Sequence, residues 1–397
     1  MNERLLRAVE SRRDELVTLA SELIQFPTVN PPGEAYTPCA EYIAKRLQKR
    51  GFETRLIRGE GTPGDTDRYP RTNVVARREG RAPGAVVHFN SHIDVVEAGE
   101  GWTFDPFAGT VKDGRVYGRG ACDMKGGLAA SIIAAEAFMD VFPDFTGAIE
   151  ISGTVDEESG GFGGVAYLAS KGFFSRPRVD HVIIPEPLNK DRICLGHRGV
   201  WWAEIETKGS IAHGSMPFLG DSAIRHMGAV LHAFEEELYP ALDTKQTEMP
   251  VVPEGARRST MNINSIHGGQ TEDFYPGLPA PNVADSCRTV IDRRFLLEES
   301  IDEVKGEVTS ILDRLKRERP KFDYAIRDLM EVLPTMTERN APVVTAVAEG
   351  IRQIFGREPD YVISPGTYDQ KHIARIGHLH DCIAYGPGIL DLAHRPD

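Results

Sequence analysis

Apolar and polar positions along this chain follow two rhythms, and the rhythm changes near residue 199. Leu16, Leu19, Leu23 and Ile24 recur at helical spacing, which predicts a first helix over Glu10 to Gln25 that Pro27 ends. After a "NPPGE" loop, "YTPCAEYIAKRLQKRGF" reads as a second amphipathic helix with Gly51 just past its end. Residues 59–72 are dense in turn formers and predict a surface loop. Short apolar runs then alternate with helical patterns. "GAVVHFN", "GAIEISGTV" and "HVIIPEP" predict strands, while "GGLAASIIAAEAFMDVF" and "GVAYLASKGFF" predict helices. That alternation implies an α/β fold: a mainly parallel sheet covered by helices on both faces.

After "GHRG" (196–199) the pattern becomes strand, helix, strand, strand, helix, strand. The strands are "VWWAEIETKG", "STMNINSIHGG", "NVADSCRTVIDRRF" and "FDYAIRDLM"; the helices are "SAIRHMGAVLHAFEEELY" and "SIDEVKGEVTSILDRLKRER", the latter with Ser300 as its cap. This order predicts a ferredoxin-like α+β insert over residues 199–332. From Asn340 onward helix and strand alternate again, so residues 1–198 and 333–397 are expected to build one catalytic domain around the insert.

A length of 397 residues already favours two cores over one. With 59 acidic against 46 basic residues the formal charge is -13, which argues against a nucleic-acid partner. No apolar run approaches the ~18 residues that span a bilayer, so no membrane partner is expected. The start, "MNERLLRAVESRRDELV", lacks the apolar core of a signal peptide. Five dispersed cysteines without a CxxC suit thiols in a reducing compartment, and a cytoplasmic location is the expectation.

Several acidic and histidine residues follow apolar runs closely: His92 after "VVHF", Glu157 and Glu158 after "IEISGTV", Glu186 after "HVIIP", and His394 after "CIAYGPGILDLA". In open parallel sheets functional groups gather beyond the carboxyl ends of the strands. Asp123 adds a carboxylate from the Gly-rich "GRGACDMKGG". Each residue alone has an ordinary reading: a loop histidine, a solvated acidic run, a helix cap, a turn acid. Together, two histidines and three carboxylates suit a pair of divalent cations. The three negative charges and a bridging hydroxide neutralise two dications; without them the crowded carboxylates would repel and partly protonate.

"HIDVV" (92–96), Trp102 with "DPF" (105–107), "GRGACDMKGG" (118–127), "TVDEESGG" (154–161), "PEP" (185–187) and "AHRPD" (393–397) together resemble the M20 metallopeptidases, in order and over nearly the whole chain. That group includes acetylornithine deacetylase, succinyl-diaminopimelate desuccinylase, aminoacylase and carboxypeptidase-like enzymes. The resemblance implies a metal-dependent hydrolase of an amide C–N bond, above all a deacylase of N-acyl amino acids. His92 and Glu186 would bind one ion, Glu158 and His394 the other, and Asp123 both; Asp94 would orient His92. Glu157 would be the general base acting on a water shared by the ions. Zinc is the first expectation, with manganese or cobalt as alternatives. "KGSIAHGSMP" (208–217) resembles the segment whose histidine reaches a partner subunit's active site, so the resemblance implies a homodimer and oxyanion stabilisation by His213. "NVADSCRTVIDRR" likewise implies that Asn282 and Arg294 hold the substrate, Arg294 being preferred to its neighbour Arg293.

The chain departs from the family pattern in places. Ala284 and Asp285 follow "NV" where a proline is usual, and "GTYDQKH" (366–372) replaces "GGTD", bringing Tyr368 to the pocket loop and leaving His372 without a role. The sequence stops at Asp397, where a further Glu and a closing helix are expected. Trp201 and Trp202 read first as packing and His197 as hinge structure. Two rivals accompany the deacylase reading. One keeps the metal site but acts as an aminohydrolase or deformylase on an aromatic or heterocyclic amine or N-formyl compound, motivated by Tyr368 and the aromatic strand. The other is a metal-free binding protein, which predicts a missing ligand or base; all five ligands and Glu157 are present.

Overall fold

The computed structural model describes residues 3–249, 251, 253–269 and 281–397. The chain opens with helices α1 (Glu3–Glu10), α2 (Arg13–Ile24) and α3 (Tyr36–Lys49) and strands β1 (Glu53–Arg58), β2 (Thr72–Glu79) and β3 (Ala82–His92). A hairpin, β4 (Thr110–Lys112) and β5 (Arg115–Tyr117), precedes α4 (Gly126–Val141), β6 (Thr146–Thr154), α5 (Tyr167–Ser170), β7 (His181–Ile184) and β8 (Arg192–His197). Next come β9 (Gly199–Lys208), α6 (Ala223–Ala233), α7 (Tyr239–Asp243), β10 (Thr260–Gly268), β11 (Ser286–Phe295), α8 (Ile301–Glu318) and β12 (Asp323–Val332). The chain closes with β13 (Thr335–Met336), α9 (Pro342–Phe355), β14 (Asp360–Ser364), α10 (Gln370–Arg375) and β15 (Cys382–Ala384). Two compact units result: residues 1–196, 336–362 and 368–397 form the first, and 197–335 with 363–367 the second.

In the first unit the sheet runs β1-β2-β6-β3-β7-β15-β8. β6, β3, β7 and β15 are mutually parallel, as the strand–helix alternation implied. β1 and β2 add an antiparallel edge, and β8 is antiparallel to β15. The three strands β1, β2 and β8 escape the apolar-run pattern. "ETRLIR" is an edge strand with no fully buried side chain, and its charged residues blunt the open edge. The first helix expected over Glu10 to Gln25 is α2, and an unexpected α1 precedes it, separated by Ser11 and Arg12, where the Arg12 guanidinium pairs with Glu15, Glu136 and Asp140. α3 ends as expected: Gly51 has φ +80°, a left-handed turn that glycine adopts without a Cβ clash. The loop at 59–72 is only partly surface, because Arg71 is buried within it.

The core of this unit packs Leu19, Leu23, Ile43 and Leu47 from α2 and α3 with Leu128, Ile132 and Ile133 from α4 against Val74, Ile93 and Ile151 of the sheet. One face of β3 and β6 is different. His88 and Asn90 on β3, with Glu150, Ser152 and Thr154 on β6, are polar and fully buried. They satisfy one another: His88 Nε2 lies 2.7 Å from Ser152 Oγ, Ser152 Oγ donates to Asn90 Oδ1 at 2.7 Å, and Arg178 pairs with Glu150. A buried polar row of this kind is tolerated because its members are hydrogen-bonded.

The second unit contains a four-stranded antiparallel sheet in the order β10-β11-β9-β12, flanked by α6 and α8. This is the ferredoxin-like order. Ser300 caps α8 through a capping box with Glu303. Its core holds Trp201, Phe234, Ile291, Phe295 and Leu312. Trp201 is 1 % exposed and donates its Nε1 to Asp328, so it is a packing residue.

Candidate metal centre

The parallel register between β3 and β6 sets His92 beside Thr154, so the histidine and the "DEE" turn leave the sheet together at its carboxyl edge. Glu186 follows β7, the next parallel strand. Asp123 comes from the segment entering α4, and His394 from the loop after β15. Five separated segments of the first unit thus converge. His92, Asp123 and Glu186 each offer a ligand atom within 4.8 Å of the others, and so do Asp123, Glu158 and His394. Asp123 belongs to both triads. His92 Nε2 is 3.0 Å from Asp123 Oδ1, and His394 Nε2 is 3.1 Å from Glu158 and 3.6 Å from Asp123. Nitrogen and carboxylate donors in two overlapping triads fit two divalent cations sharing one carboxylate.

On the protein's own charges the arrangement is costly. Burial, with the Asp123 and Glu157 charges, pushes Glu158 up to about 7, although His394 opposes the rise. Glu186 is raised well above the carboxylate range by burial and then by Asp123. Burial works against the charged form of His92, but its contacts with Asp123 and Asp94 hold it well above the usual imidazole value. His394 is raised chiefly by its hydrogen bond to Glu158, and Asp123 is lowered by His92 against the pull of burial. Bound cations would supply the missing positive charge.

Asp94 sits behind this cluster, fully buried. Its Oδ1 accepts the Glu157 amide at 3.2 Å and its Oδ2 the Glu158 amide at 3.1 Å, while Asn30 Nδ2 donates at 3.0 Å. The His92 Nδ1 hydrogen bond goes to the Asp94 carbonyl at 2.9 Å, with the carboxylate at 3.6 Å. The one-residue spacing therefore serves twice: the backbone of Asp94 orients the imidazole, and its side chain fixes the turn that presents Glu157 and Glu158. Asp156 anchors the same turn from below, in a buried ion pair with Arg71 at 3.0 Å and a hydrogen bond from Tyr36 at 3.1 Å. Breaking such a pair costs about 3–5 kcal/mol.

Sequence reasoning passed over three side chains. Arg119, in "GRG", donates to the carbonyls of His394 at 3.0 Å and Ala98 at 3.1 Å and stacks 5.1 Å from the Trp102 ring centroid. It ties the His394 loop to the "GWTFDPF" segment. Lys371 Nζ lies 3.3 Å from Glu157 Oε1, and Asp369 accepts from Asn90 Nδ2 at 3.0 Å. Both belong to "GTYDQKH", the stretch that departs from the family pattern; a lysine two residues from an acid carries no local signal. Tyr368 is buried, its hydroxyl on Gln370 and Cys194, so it packs the first unit's interior and does not line a pocket loop. His372 Nε2 meets the Gly160 carbonyl at 2.6 Å, beneath the "DEE" turn.

In the second unit His213 forms an isolated antiparallel bridge with Asn282, and both are exposed. The Ser215 amide reaches His213 Nδ1 at 3.2 Å. An amide can only donate, so neutral His213 carries its proton on Nε2 and presents an N–H donor outward. Arg294 makes two hydrogen bonds to Asp292, at 2.6 and 2.9 Å, while Arg293 is fully buried on Glu299 and Glu307.

Comparison with known proteins supplies the class. Residues 88–397 match the model of peptidase family M20/M25/M40. The chain is 31 % identical over 381 residues to a succinyl-diaminopimelate desuccinylase of Aromatoleum aromaticum, covering 93 % of this chain and 88 % of that one. Human carnosine dipeptidase 1 superposes with a TM-score of 0.74 at 19 % identity, covering 100 % of this chain and 93 % of that one. The YXEP protein of Bacillus subtilis, described as a dinuclear metal binding peptidase, gives a TM-score of 0.65 at 15 % identity over 94 % and 88 % of the two chains. A fold with this carboxyl-edge cluster defines a metal-dependent hydrolase of C–N bonds. The chain belongs to the M20 family. Among the described residues no helix is long and apolar enough to cross a membrane.

Proposed function

We propose that the protein deacylates N-acyl amino acids, with His92 and Glu186 holding one divalent ion, Glu158 and His394 a second, and Asp123 both. The observation that carries this reading is the pair of donor triads that share Asp123. The desuccinylase names of its relatives support a small N-acyl amino acid as substrate, with N-succinyl compounds first among them. When bound, the ions would polarise the scissile carbonyl and acidify water. Glu157, held by Asp94 through its amide, takes a proton from the attacking water and delivers it to the departing amine. His213 donates Nε2–H to the carbonyl oxygen as negative charge develops there. Asn282 and Arg294 hold the substrate's carboxylate end.

The exposure of His213 supports its service to the other subunit of a homodimer, in which residues 199–332 act as lid and dimerisation domain. Zinc suits the two imidazoles. Free thiols at Cys39, Cys122, Cys287 and Cys382 fit the reducing cytoplasm. The aminohydrolase alternative is narrowed, because Tyr368 and Trp201 are interior packing residues and only the half-buried Trp202 of the aromatic strand still favours it. The test is a screen of N-succinyl, N-acetyl, N-formyl and aryl-amine substrates with metal-loaded protein, beside Glu157→Ala. N-acyl amino acid hydrolysis that Glu157→Ala abolishes is expected; an active Glu157→Ala variant would remove the assigned base.

A further inference from the structure

The base has a neighbour that the functional reading does not use. Lys371 is 6 % exposed, and its ammonium lies 3.3 Å from Glu157 Oε1. A buried lysine is retained where a partner compensates its desolvation, and here the partner is the one carboxylate of the cluster with no place in either donor triad. The element that carries Lys371 is held firmly. Gln370, the preceding residue, is 1 % exposed, and its Nε2 lies 2.8 Å from the Cys382 carbonyl and 3.1 Å from both the Leu195 carbonyl and Thr337 Oγ1. Asp369, one residue earlier, is fixed to Asn90 at the end of the buried polar row. The stem of Lys371 therefore leaves a pinned helix start, and its head has a defined position.

Glu157 and Glu158 are adjacent on one short turn, both amides gripped by Asp94. Nothing in the chemistry of two glutamates makes one a ligand and its neighbour a base; both are flexible carboxylates beside a site for cations. We infer that Lys371 is the positioning residue that separates these roles, engaging Glu157 Oε1 so that the side chain stays off the ions and keeps Oε2 for the water proton. The ammonium offers a charge-assisted hydrogen bond in competition with metal coordination. Without it, Glu157 swings toward the cations as an additional ligand and is lost as a base. This inference rests on the proposed function for Glu157 as base, and on the chain's own residues for the contact.

The experiment compares wild type, Lys371→Gln, Lys371→Arg, Glu157→Gln and the Glu157→Gln/Lys371→Gln double variant, each checked for two bound ions and an unchanged melting temperature. Lys371→Gln is expected to lower kcat by about 30- to 100-fold with KM changed less than about threefold, and Lys371→Arg to recover most of the loss because it keeps the charge. In the Glu157→Gln background, Lys371→Gln should cost no more than about twofold, since the residue it acts through is already disabled. A second readout needs no substrate. Cobalt(II)-loaded Lys371→Gln should show altered visible bands from a gained carboxylate, while Lys371→Arg and the double variant keep the wild-type bands. Unchanged kcat and unchanged bands in Lys371→Gln overturn the inference, as does an equal loss in the Glu157→Gln background. If Lys371→Gln does not fold, Lys371→Arg decides: near-wild-type kcat and bands support the inference, and a collapse of kcat with wild-type bands overturns it. Should wild type hydrolyse no N-acyl amino acid, the functional reading fails, and the cobalt bands alone judge the role of Lys371.

Discussion

The two halves of the proposed metal centre are built differently. His92 and Glu186 are 1 % and 8 % exposed; His92 ends β3, and Glu186 lies two residues beyond the end of β7. The side chain of His394 is 51 % exposed, on a loop braced by Arg119 and Trp102. Strand ends inherit the rigidity of the sheet, whereas a loop ligand is only as fixed as the groups that tie it down. The buried half should therefore bind its ion more tightly and exchange it more slowly than the exposed half, although both use the same donor types and share Asp123.

The largest test removes what the halves have in common. Asp123→Asn should abolish binding of both ions and lower kcat by at least about 1,000-fold, read by elemental analysis and steady-state kinetics. A variant that keeps two ions would end the shared-carboxylate description. Next in size, His92→Ala should lose the tight ion, whereas His394→Ala should lose only the weak one, and added imidazole should restore the latter because that position opens to solvent. Competition titration with a chromophoric chelator separates the two; equal losses would erase the asymmetry. A smaller effect is expected from Arg119→Met, which frees the His394 loop: about 10-fold weaker binding at the second site, with the first unchanged.

The smallest test is a pH dependence of stability. In metal-depleted protein Glu158 is raised from an ordinary 4.5 to about 7, so its folding penalty is absent below pH 4.5 and complete above pH 7. His92 and His394, both raised from 6.5, act in the same sense. Their stabilising imidazolium–carboxylate contacts are complete below pH 6.5 and fade as the pH passes their raised values. The melting temperature of metal-depleted protein should accordingly fall by a few degrees between about pH 5 and 8, while the metal-loaded form changes less. Calorimetry on both forms across that range reads the difference; parallel curves would contradict it.

The same division explains what could be read from the chain in advance. The parallel centre was legible because β3, β6 and β7 are apolar runs, and His92 and the "DEE" turn stand out as polar residues just beyond them. β1 was not, because an exposed edge strand with charged side chains lacks such a run, and β2 and β8 were not, because their short apolar stretches are interrupted by polar and charged residues. The ferredoxin-like insert was legible from its order of elements, and Ser300 from its spacing to Glu303. Arg119 and Lys371 were not legible, because each acts on a partner far away in sequence: Arg119 on His394, Lys371 on Glu157. Sequence periodicity reports what a residue does to its own element, whereas these two work across segments. Glu157 and Glu158 were indistinguishable by residue type; their surroundings separate them, one facing Lys371 and the other His394.

The first unit is stitched from three stretches of chain, with the second unit's residues threaded between them. During synthesis the ribosome releases His92, Asp123, Glu158 and Glu186 long before His394. The proposed second position draws His394 from beyond the second unit's residues, so it stays incomplete until that later stretch has folded back onto the first unit. Filling of the proposed second position would in this sense report that the interrupted unit has closed.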